Sequence, residues 1–491
     1  MKRAASDAAT GAPVIPLKAV KASAAATDEV EKGLFEVRRK IYPRAVTGGF
    51  ATLRWAAVWF TQVIFYGLPW LAWNDRQAVL FDLGARKFYI FGIVFWPQDF
   101  IYLTLLLVTA AVSLFLFTAI AGRLWCGYAC PQTVYTEIFL WIERVIEGDR
   151  NARTKLDAAP FSARKFGLKA AKHGAWVAFA FWTGFTFVGY FTPIKVLGNE
   201  VLTFTLGPWE TFWIFFYGFA TYGNAGWMRE QVCKYMCPYA RFQGAMFDRD
   251  TLIIAYDRER GEPRGSRGKK ADPKSLGLGH CVDCDICVQV CPTGIDIRNG
   301  LQYECIGCAA CIDGCDQVMG KMGYPKGLIR YSTERAMQAQ KGLSGILQHV
   351  VRPRVLVYAA ILATVVVAGV TALTLRVPLK VDVIRDRGAL VREVEDGALE
   401  NVYRLQVMNA TESPHRYRIA VEGLPGIRIA SEPVIDMAAA TTQTFPVRIR
   451  VPAGDSAEGS RKILISVTAE DGSGLAVREK AVFLFPRKDL N

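Results

Sequence analysis

The sequence predicts a multi-domain membrane protein: about five transmembrane α-helices, a cysteine-rich soluble insert between the fourth and fifth, and an all-β sandwich at the C-terminal end. Three observations predict it. Five apolar stretches approach the length of about 20 residues that crosses a bilayer. All 12 cysteines lie between Cys126 and Cys315. Beyond Arg376 the hydrophobic pattern switches to a period of two. A composition 52% hydrophobic, 12% aromatic and 21% charged excludes a disordered or fibrous chain.

Residues 1 to about 49 are rich in Ala, Lys and Thr and contain no apolar run, which predicts a disordered cytoplasmic tail without the hydrophobic region of a secretory signal. The apolar stretches follow at roughly 55–73, 100–122, 174–194, 211–228 and 355–375. The second and fifth carry no charge. The third and fourth are heavy in aromatic residues that suit membrane interfaces. Uncharged runs of 21 to 23 residues without a polar face argue against core helices of a soluble protein. The expected division is a four-helix membrane domain over 50–248, a soluble insert over 249–350, a fifth span over 351–376 and an outer domain over 377–491.

Charge sets the orientation. Residues 1–54 hold 10 Lys and Arg and residues 123–172 hold 9, whereas 74–99 hold 3 and 195–210 hold 1. Lys and Arg accumulate on the cytoplasmic side. The N-terminus and the cysteines are therefore expected inside, and residues 377–491 outside, in the periplasm of a Gram-negative cell. This accounts for the formal net charge of +14, since the inner segments hold 38 Lys and Arg against 24 acids and the outer segments hold 21 of each. The basic stretch 258–274 has no aromatic residues for stacking on bases, so it reads as a solvated loop near anionic lipid or an anionic redox partner, not as a nucleic-acid site.

The outer segment contains VYRLQVMN, HRYRIAVEG, TFPVRIRVPAG, RKILISVTAEDGSG and LAVREKAVFLF, separated by Gly, Pro and Asn turns. Short alternating strands at about ten-residue spacing predict an immunoglobulin-type sandwich. Without a cysteine pair it must hold by packing alone. Met408, Met437 and His415 sit within this pattern and read as core or surface positions rather than a copper site.

The insert carries Cys281-x2-Cys284-x2-Cys287-x3-Cys291-Pro292 and then Cys305-x2-Cys308-x2-Cys311-x3-Cys315. This is the spacing of a two-cluster ferredoxin. Three thiolates at i, i+3 and i+6 hold one [4Fe–4S] cluster, and the fourth cysteine of each run serves the other. Cys281, Cys284, Cys287 and Cys315 are thus expected at the first cluster, and Cys291, Cys305, Cys308 and Cys311 at the second. Zinc would use two C-x2-C pairs and has no need of a third thiolate at i+6. Asp316 stands where such runs usually place Pro, which removes no ligand.

The other four cysteines form a repeated motif: Cys126-Gly-Tyr-Ala-Cys130-Pro131 after the second span, and Cys233-Lys-Tyr-Met-Cys237-Pro238 after the fourth. Each follows a pair of spans, so the two read as an internal duplication with equivalent sites at the inner membrane face. On a helix, i and i+4 lie on one face and would make a soft bidentate site for Cu(I) or an iron–sulfur centre. Redox-active dithiols and small residues at a helix break are the alternatives. If the hairpins pack as a pseudo-dimer, all four thiolates could share one site. His173, His280, His349 and His415 are too scattered for a bis-histidine haem.

Taken with GRLWCGYACPQTVYTEIF and CKYMCPYARFQ, the insert, the final span and the C-terminal domain, the chain resembles the cytochrome c oxidase accessory proteins of the FixG/RdxA/CcoG type. The resemblance covers nearly everything after about residue 35. It implies a membrane-bound polyferredoxin of the bacterial inner membrane: a metal-ion oxidoreductase reducing Cu(II) to Cu(I) for assembly of a cbb3-type oxidase. The eight cysteines from Cys281 to Cys315 would bind two [4Fe–4S] clusters. Cys126, Cys130, Cys233 and Cys237 would be the catalytic, copper-proximal residues. Expected partners are membrane lipid and copper-delivery or oxidase-assembly proteins, with no nucleic acid. The electron donor and homodimer formation stay open, as do two other functions: a quinol-linked electron conduit and an assembly scaffold with structural clusters.

Overall fold

The computed structural model describes residues 40–339, 350–386, 391–394, 397–452 and 459–486. The chain divides into two units, Met1–Tyr42 and Pro43–Asn491, and the features below all belong to the second. Most of the expected tail, 1–39, lies outside the described residues. Residues 43–48, also assigned to that tail, are bonded into the fold: the Arg44 amide donates to the Gln289 carbonyl (2.8 Å) and the Ala45 amide to Asp149 Oδ1 (3.0 Å).

Five long helices coincide with the apolar stretches: α1 Gly49–Gly67, α2 Phe100–Ala121, α3 Ala163–Val188, α4 Pro208–Thr221 and α5 Pro353–Thr374. Several boundaries differ from the sequence reading, among them the start of α1 at Gly49 rather than 55 and the end of α3 at Val188 rather than 194. α1 ends at Gly67, six residues short of the expected 73, because Leu68–Trp70 tightens into a 3₁₀ turn with Pro69 near its start. α3 begins at Ala163 rather than 174, as the Ser162 hydroxyl caps it by accepting from the Lys165 amide (3.2 Å). α4 continues as π-helix over Tyr222–Met228. By length and composition, Pro97–Ala121 and Pro353–Thr374 are the two helices apolar enough to cross a membrane among the described residues, with mean hydropathies of 2.5 and 2.4. They pack on each other and expose Leu103, Leu106, Leu107, Val367 and Val370 outward. A soluble surface rarely carries so continuous an apolar patch.

Residues 72–99 form more than a connection. Strands β1 Val79–Asp82, β2 Lys87–Ile90 and β3 Ile93–Phe95 make an antiparallel sheet. It meets the C-terminal domain through Val94, Trp96 and Ala410. Asp99, 4% exposed, accepts from Arg376 Nη2 (2.6 Å) and from Lys380, clasping the start of α2 to the exit of α5.

In the insert, β4 Ile253–Tyr256 pairs with β5 Ile329–Ser332 and closes the cysteine-bearing loops at their base. The C-terminal domain is a two-sheet sandwich. β6 Leu379–Arg385, β7 Leu399–Asn409, β9 Arg428–Ile429 and β11 Thr442–Val451 form one sheet in the order β9-β11-β7-β6. β8 His415–Glu422, β10 Val434–Met437, β12 Ser460–Ala469 and β13 Ala476–Leu484 form the other in the order β10-β8-β12-β13. Tyr403, Leu405 and Val407 of β7 and Ile463, Ile465 and Val467 of β12 alternate into one core. The Tyr403 hydroxyl, donating to the Val482 carbonyl (2.9 Å), ties one sheet to the other. Met408 and Met437 are 1% and 2% exposed, both buried packing residues.

Candidate iron–sulfur centres and the thiol site beside them

Each cysteine run is wound by the same backbone device. In Cys281–Cys287 the left-handed residues are Asp283 (φ 51°) and Asp285 (φ 54°); in Cys305–Cys311 they are Gly307 (φ 70°) and Ala309 (φ 59°). In both, the second and fourth residues after the first cysteine take this conformation, which side chains disfavour and which persists when surroundings dictate it. Alternating turns of this kind curl each C-x2-C-x2-C segment around a hollow. The last left-handed residue of each run then starts a helix, Ile286–Gln289 or Ala310–Met322, and the fourth cysteine lies on or just beyond it.

Cys281, Cys284, Cys287 and Cys315 line one cavity of about 340 Å³ with Tyr256, Met319 and Leu328. Cys291, Cys305, Cys308 and Cys311 line a second of about 330 Å³ with Ile254, Ile297 and Ile306. Each cavity draws its fourth cysteine from the other run, and Cys287 touches both. Burial pushes the Cys287, Cys305 and Cys315 thiols up to about 12. An apolar hollow therefore resists free thiolates, and a thiol-ligated iron–sulfur group is what would hold them deprotonated. Four sulfur donors per hollow in a largely apolar lining, with Asp285 and Arg298 at the first and Thr293 at the second, fit a [4Fe–4S] group at each. Among the described residues no three His, Cys, Asp or Glu side chains are grouped to grip one ion.

Cations surround these loops. Arg298 donates to Asp283 Oδ1 (2.7 Å), Asp285 Oδ1 (2.6 Å) and Asp296 Oδ2 (2.7 Å), pinning the first run. Arg267 reaches the Cys281 carbonyl (3.2 Å). Two buried arginines come from outside the insert: Arg54 of α1 donates to the Cys308 carbonyl (3.1 Å), and Arg123 to the Cys305 carbonyl (3.3 Å). Asp313 returns the tie by accepting from the amides of Phe50 (3.3 Å) and Ala51 (2.7 Å) at the start of α1. Sequence inspection missed Arg54, Arg123 and Asp313, because no local pattern marks a residue whose partner is over 180 positions away.

The repeated motifs differ from the single-face helix expected of them. After Leu124–Tyr128 the chain extends, and Cys130 is the N-cap of the helix Pro131–Glu147; Cys237 is likewise the extended N-cap of Pro238–Ala245. Proline at the first helical position enforces the break in both copies. The pairs nonetheless lie near one another. Cys126 lies close enough to Cys130, Cys233 and Cys237 for their charges to interact, and burial, the larger effect, pushes its thiol up to about 12. Cys233 is pushed up to about 11, again chiefly by burial. Gln243, fully buried, accepts from Cys126 Sγ (3.6 Å) and donates to the Gly122 carbonyl (3.0 Å), bridging the two copies. Cys126 and Cys233 also pack against Ile306 and Cys308. A Cβ on Gly127 would lie 2.8 Å from the Cα of Cys308, so the first motif rests on the second cysteine run backbone to backbone.

The class of protein is now defined: an iron–sulfur electron-transfer protein with a dicluster ferredoxin domain, a second cysteine-bearing module and an immunoglobulin-like domain. Three family models match in the same places. They describe a 4Fe-4S dicluster domain over residues 228–334, a 4Fe-4S binding domain over 103–148, and the immunoglobulin-like fold at the C-terminus of FixG over 369–486. The nitrogen fixation protein FixG of Rhizobium meliloti is 40% identical over 480 residues, covering 90% of this chain and 91% of that one. Protein RdxA of Cereibacter sphaeroides is 39% identical over 453 residues, covering 90% and 95%. The ferredoxin-type protein NapH of Haemophilus influenzae is similar over a shorter stretch, 22% identical across 44% of this chain and 68% of its own. The chain belongs to the FixG/RdxA family.

Proposed function

We propose that this protein is a multi-pass inner-membrane electron carrier that reduces Cu(II) to Cu(I) at Cys126, Cys130, Cys233 and Cys237, in support of cbb3-type oxidase assembly. The observation that carries the reading is that Cys126 and Cys233 pack against the Cys305–Cys311 run, with Cys130 and Cys237 near enough to Cys126 for their charges to interact. Five apolar helices, with Lys and Arg concentrated on alternate connections, support a cytoplasmic N-terminus and insert and a periplasmic C-terminal domain.

Cys281, Cys284, Cys287 and Cys315 would hold one [4Fe–4S] cluster, and Cys291, Cys305, Cys308 and Cys311 the other. When bound, these groups supply single electrons at low potential, which matches a one-electron reduction of copper. The residues of the chain do the rest. Arg54 and Arg123 fix the backbone of the second run through its carbonyls, and the Gly127 contact sets how near the copper-handling thiols stand to it. Soft thiol donors favour Cu(I) over Cu(II), so they draw the reduction forward and retain its product. Gln243 fixes Cys126 from the second copy, so both copies are needed for one site.

Cu(II) reduction followed with a Cu(I)-specific chelator tests this on wild type and on Cys126→Ser/Cys233→Ser. An unchanged rate in the variant refutes copper handling by these pairs. A second reading has its own support, because the 4Fe-4S binding model spans Cys126 and Cys130. In that reading the four thiols hold a further iron–sulfur group. Iron remaining in a variant lacking all eight cysteines from Cys281 to Cys315 would favour it.

A further inference from the structure

A pocket of about 900 Å³ opens beside the thiol site. Its walls are the loop 43–46, one face of the helix Pro131–Glu147, and the loops 290–293 and 306–310 of the insert. Cys233 and Cys308 lie in its lining. Thr133, Glu137, Leu140 and Arg144 recur at three- to four-residue spacing along the helical wall.

The charge of the lining is informative. It contains five arginines, Arg44, Arg54, Arg144, Arg153 and Arg229, against Glu137, Asp149 and Glu230. Three of the five are engaged: Arg54 with Glu137 (3.7 Å), and Arg153 and Arg229 with the buried Glu143 (2.7 and 2.8 Å). Arg44 is exposed and Arg144 half-buried, and neither side chain has a partner among the described residues. Trp55 of α1 and Trp141 of the helical wall stand edge to face in the lining, ring centroids 6.4 Å apart. A hydrated divalent cation meets a surplus of guanidinium charge here, whereas a carboxylate-rich ligand meets two free forks built for it. The soft sulfur of Cys233 nevertheless asks for a metal.

Both demands are met by one ligand class. We propose that this pocket binds copper as an anionic polycarboxylate chelate, with Arg44 and Arg144 holding the carboxylates and the metal directed at Cys233. This rests on the copper reading above but concerns the form in which copper arrives. It places selectivity in two lining arginines rather than in the thiols.

The test separates binding from reduction. Full-length protein with its iron, in nanodiscs of zwitterionic lipid, is titrated with the redox-inert Ni(II)–citrate complex, with citrate alone and with Ni(II) alone, reading Trp fluorescence. The expected result is saturable quenching by Ni(II)–citrate at least tenfold tighter than by either component. Arg44→Gln/Arg144→Gln should weaken it tenfold or more, and Cys233→Ser should reduce the complex to the affinity of citrate alone. Unchanged iron content and visible spectra show that the variants are folded. Ni(II) alone binding as tightly as the complex, or an unaltered affinity in the arginine variant, overturns the proposal. So does loss of binding when phosphatidylglycerol is added, which would make the arginines a lipid-phosphate site. A protein that binds the chelate but reduces no copper would refute the copper reading and leave this site standing.

Discussion

Gly127→Ala is a sharp probe of how the thiol site is held. Gly127 lies within the short helix Leu124–Tyr128, so alanine there should by propensity alone stabilise by up to about 1 kcal/mol. The added methyl, however, would sit 2.8 Å from Cys308 Cα and from both the carbonyl carbon and oxygen of Gly307. All three are backbone atoms of the cysteine run, so no side chain can swing aside. Ordinary contact begins at 3.4 Å, and the motif must retreat from the insert by about 0.6 Å. Overpacking of this kind costs roughly 1–3 kcal/mol, which outweighs the propensity gain. Because the thiols then stand farther from the second cysteine run, electron delivery to copper should slow measurably. Gly320→Ala is the control: it lies in the helix Ala310–Met322, with nothing within 4 Å of its added Cβ. Thermal unfolding in nanodiscs, followed by visible absorbance, should rank Gly320→Ala at or above wild type and Gly127→Ala below it. If Gly127→Ala is as stable as Gly320→Ala and turns over at the wild-type rate, the close docking inferred here is wrong.

Asp313→Ala removes the acceptor for the Phe50 and Ala51 amides, and losing such a cap costs about 1–2 kcal/mol. Hydrogen exchange at residues 49–53 should accelerate while the sandwich is unaffected. At Glu143, burial opposes ionisation, but Arg229, Arg153 and Lys172 outweigh it and hold the carboxyl below the usual 4.5. Its contribution is therefore complete above about pH 4.5 and is lost as pH falls through the depressed value. Glu143→Gln removes the carboxylate shared by the buried Arg153 and Arg229, while Lys172 keeps Glu147 (3.1 Å), and should cost about 3–5 kcal/mol at pH 7, with the gap to wild type closing in acid denaturation series. Finally, Cys315→Ser and Cys281→Ser should each remove about four of roughly eight irons, and the double variant no more than either, whereas Cys315→Ser/Cys311→Ser should lose both sets. Additive loss in the first double variant would show that Cys315 belongs with its own run.

What was legible in the sequence was local or periodic. The cysteine spacing encodes its own grouping, because the arc through i, i+3 and i+6 leaves the fourth thiol pointing away from its own hollow. The sandwich was legible because Tyr403, Leu405 and Val407 alternate without interruption. The illegible features depend on distant partners. Residues 74–99 read as a plain outer connection, yet Arg76 and Lys87 reach Glu412 and the Ala440 carbonyl of the C-terminal domain. The helix break at Cys130 is written in Pro131, and it stands only as an alternative in the sequence because i and i+4 spacing invites a helical reading before the proline is weighed.

Those distant partners give the architecture its logic. The C-terminal domain is attached at α5 and again through Asp99 and Glu412 to the segment preceding α2. The insert is attached at α1 through Arg54 and Asp313, and at the end of α2 through Arg123. α2 therefore carries a clasp at each end, one for the C-terminal domain and one for the insert, and the thiol motif begins five residues after the helix stops. The similarity to FixG and RdxA covers 90% of this chain, and the structure gives a physical reason for its parts to travel as one chain: the insert alone would keep its hollows but lose Arg54, Arg123 and the thiols Cys126 and Cys233 that pack on it.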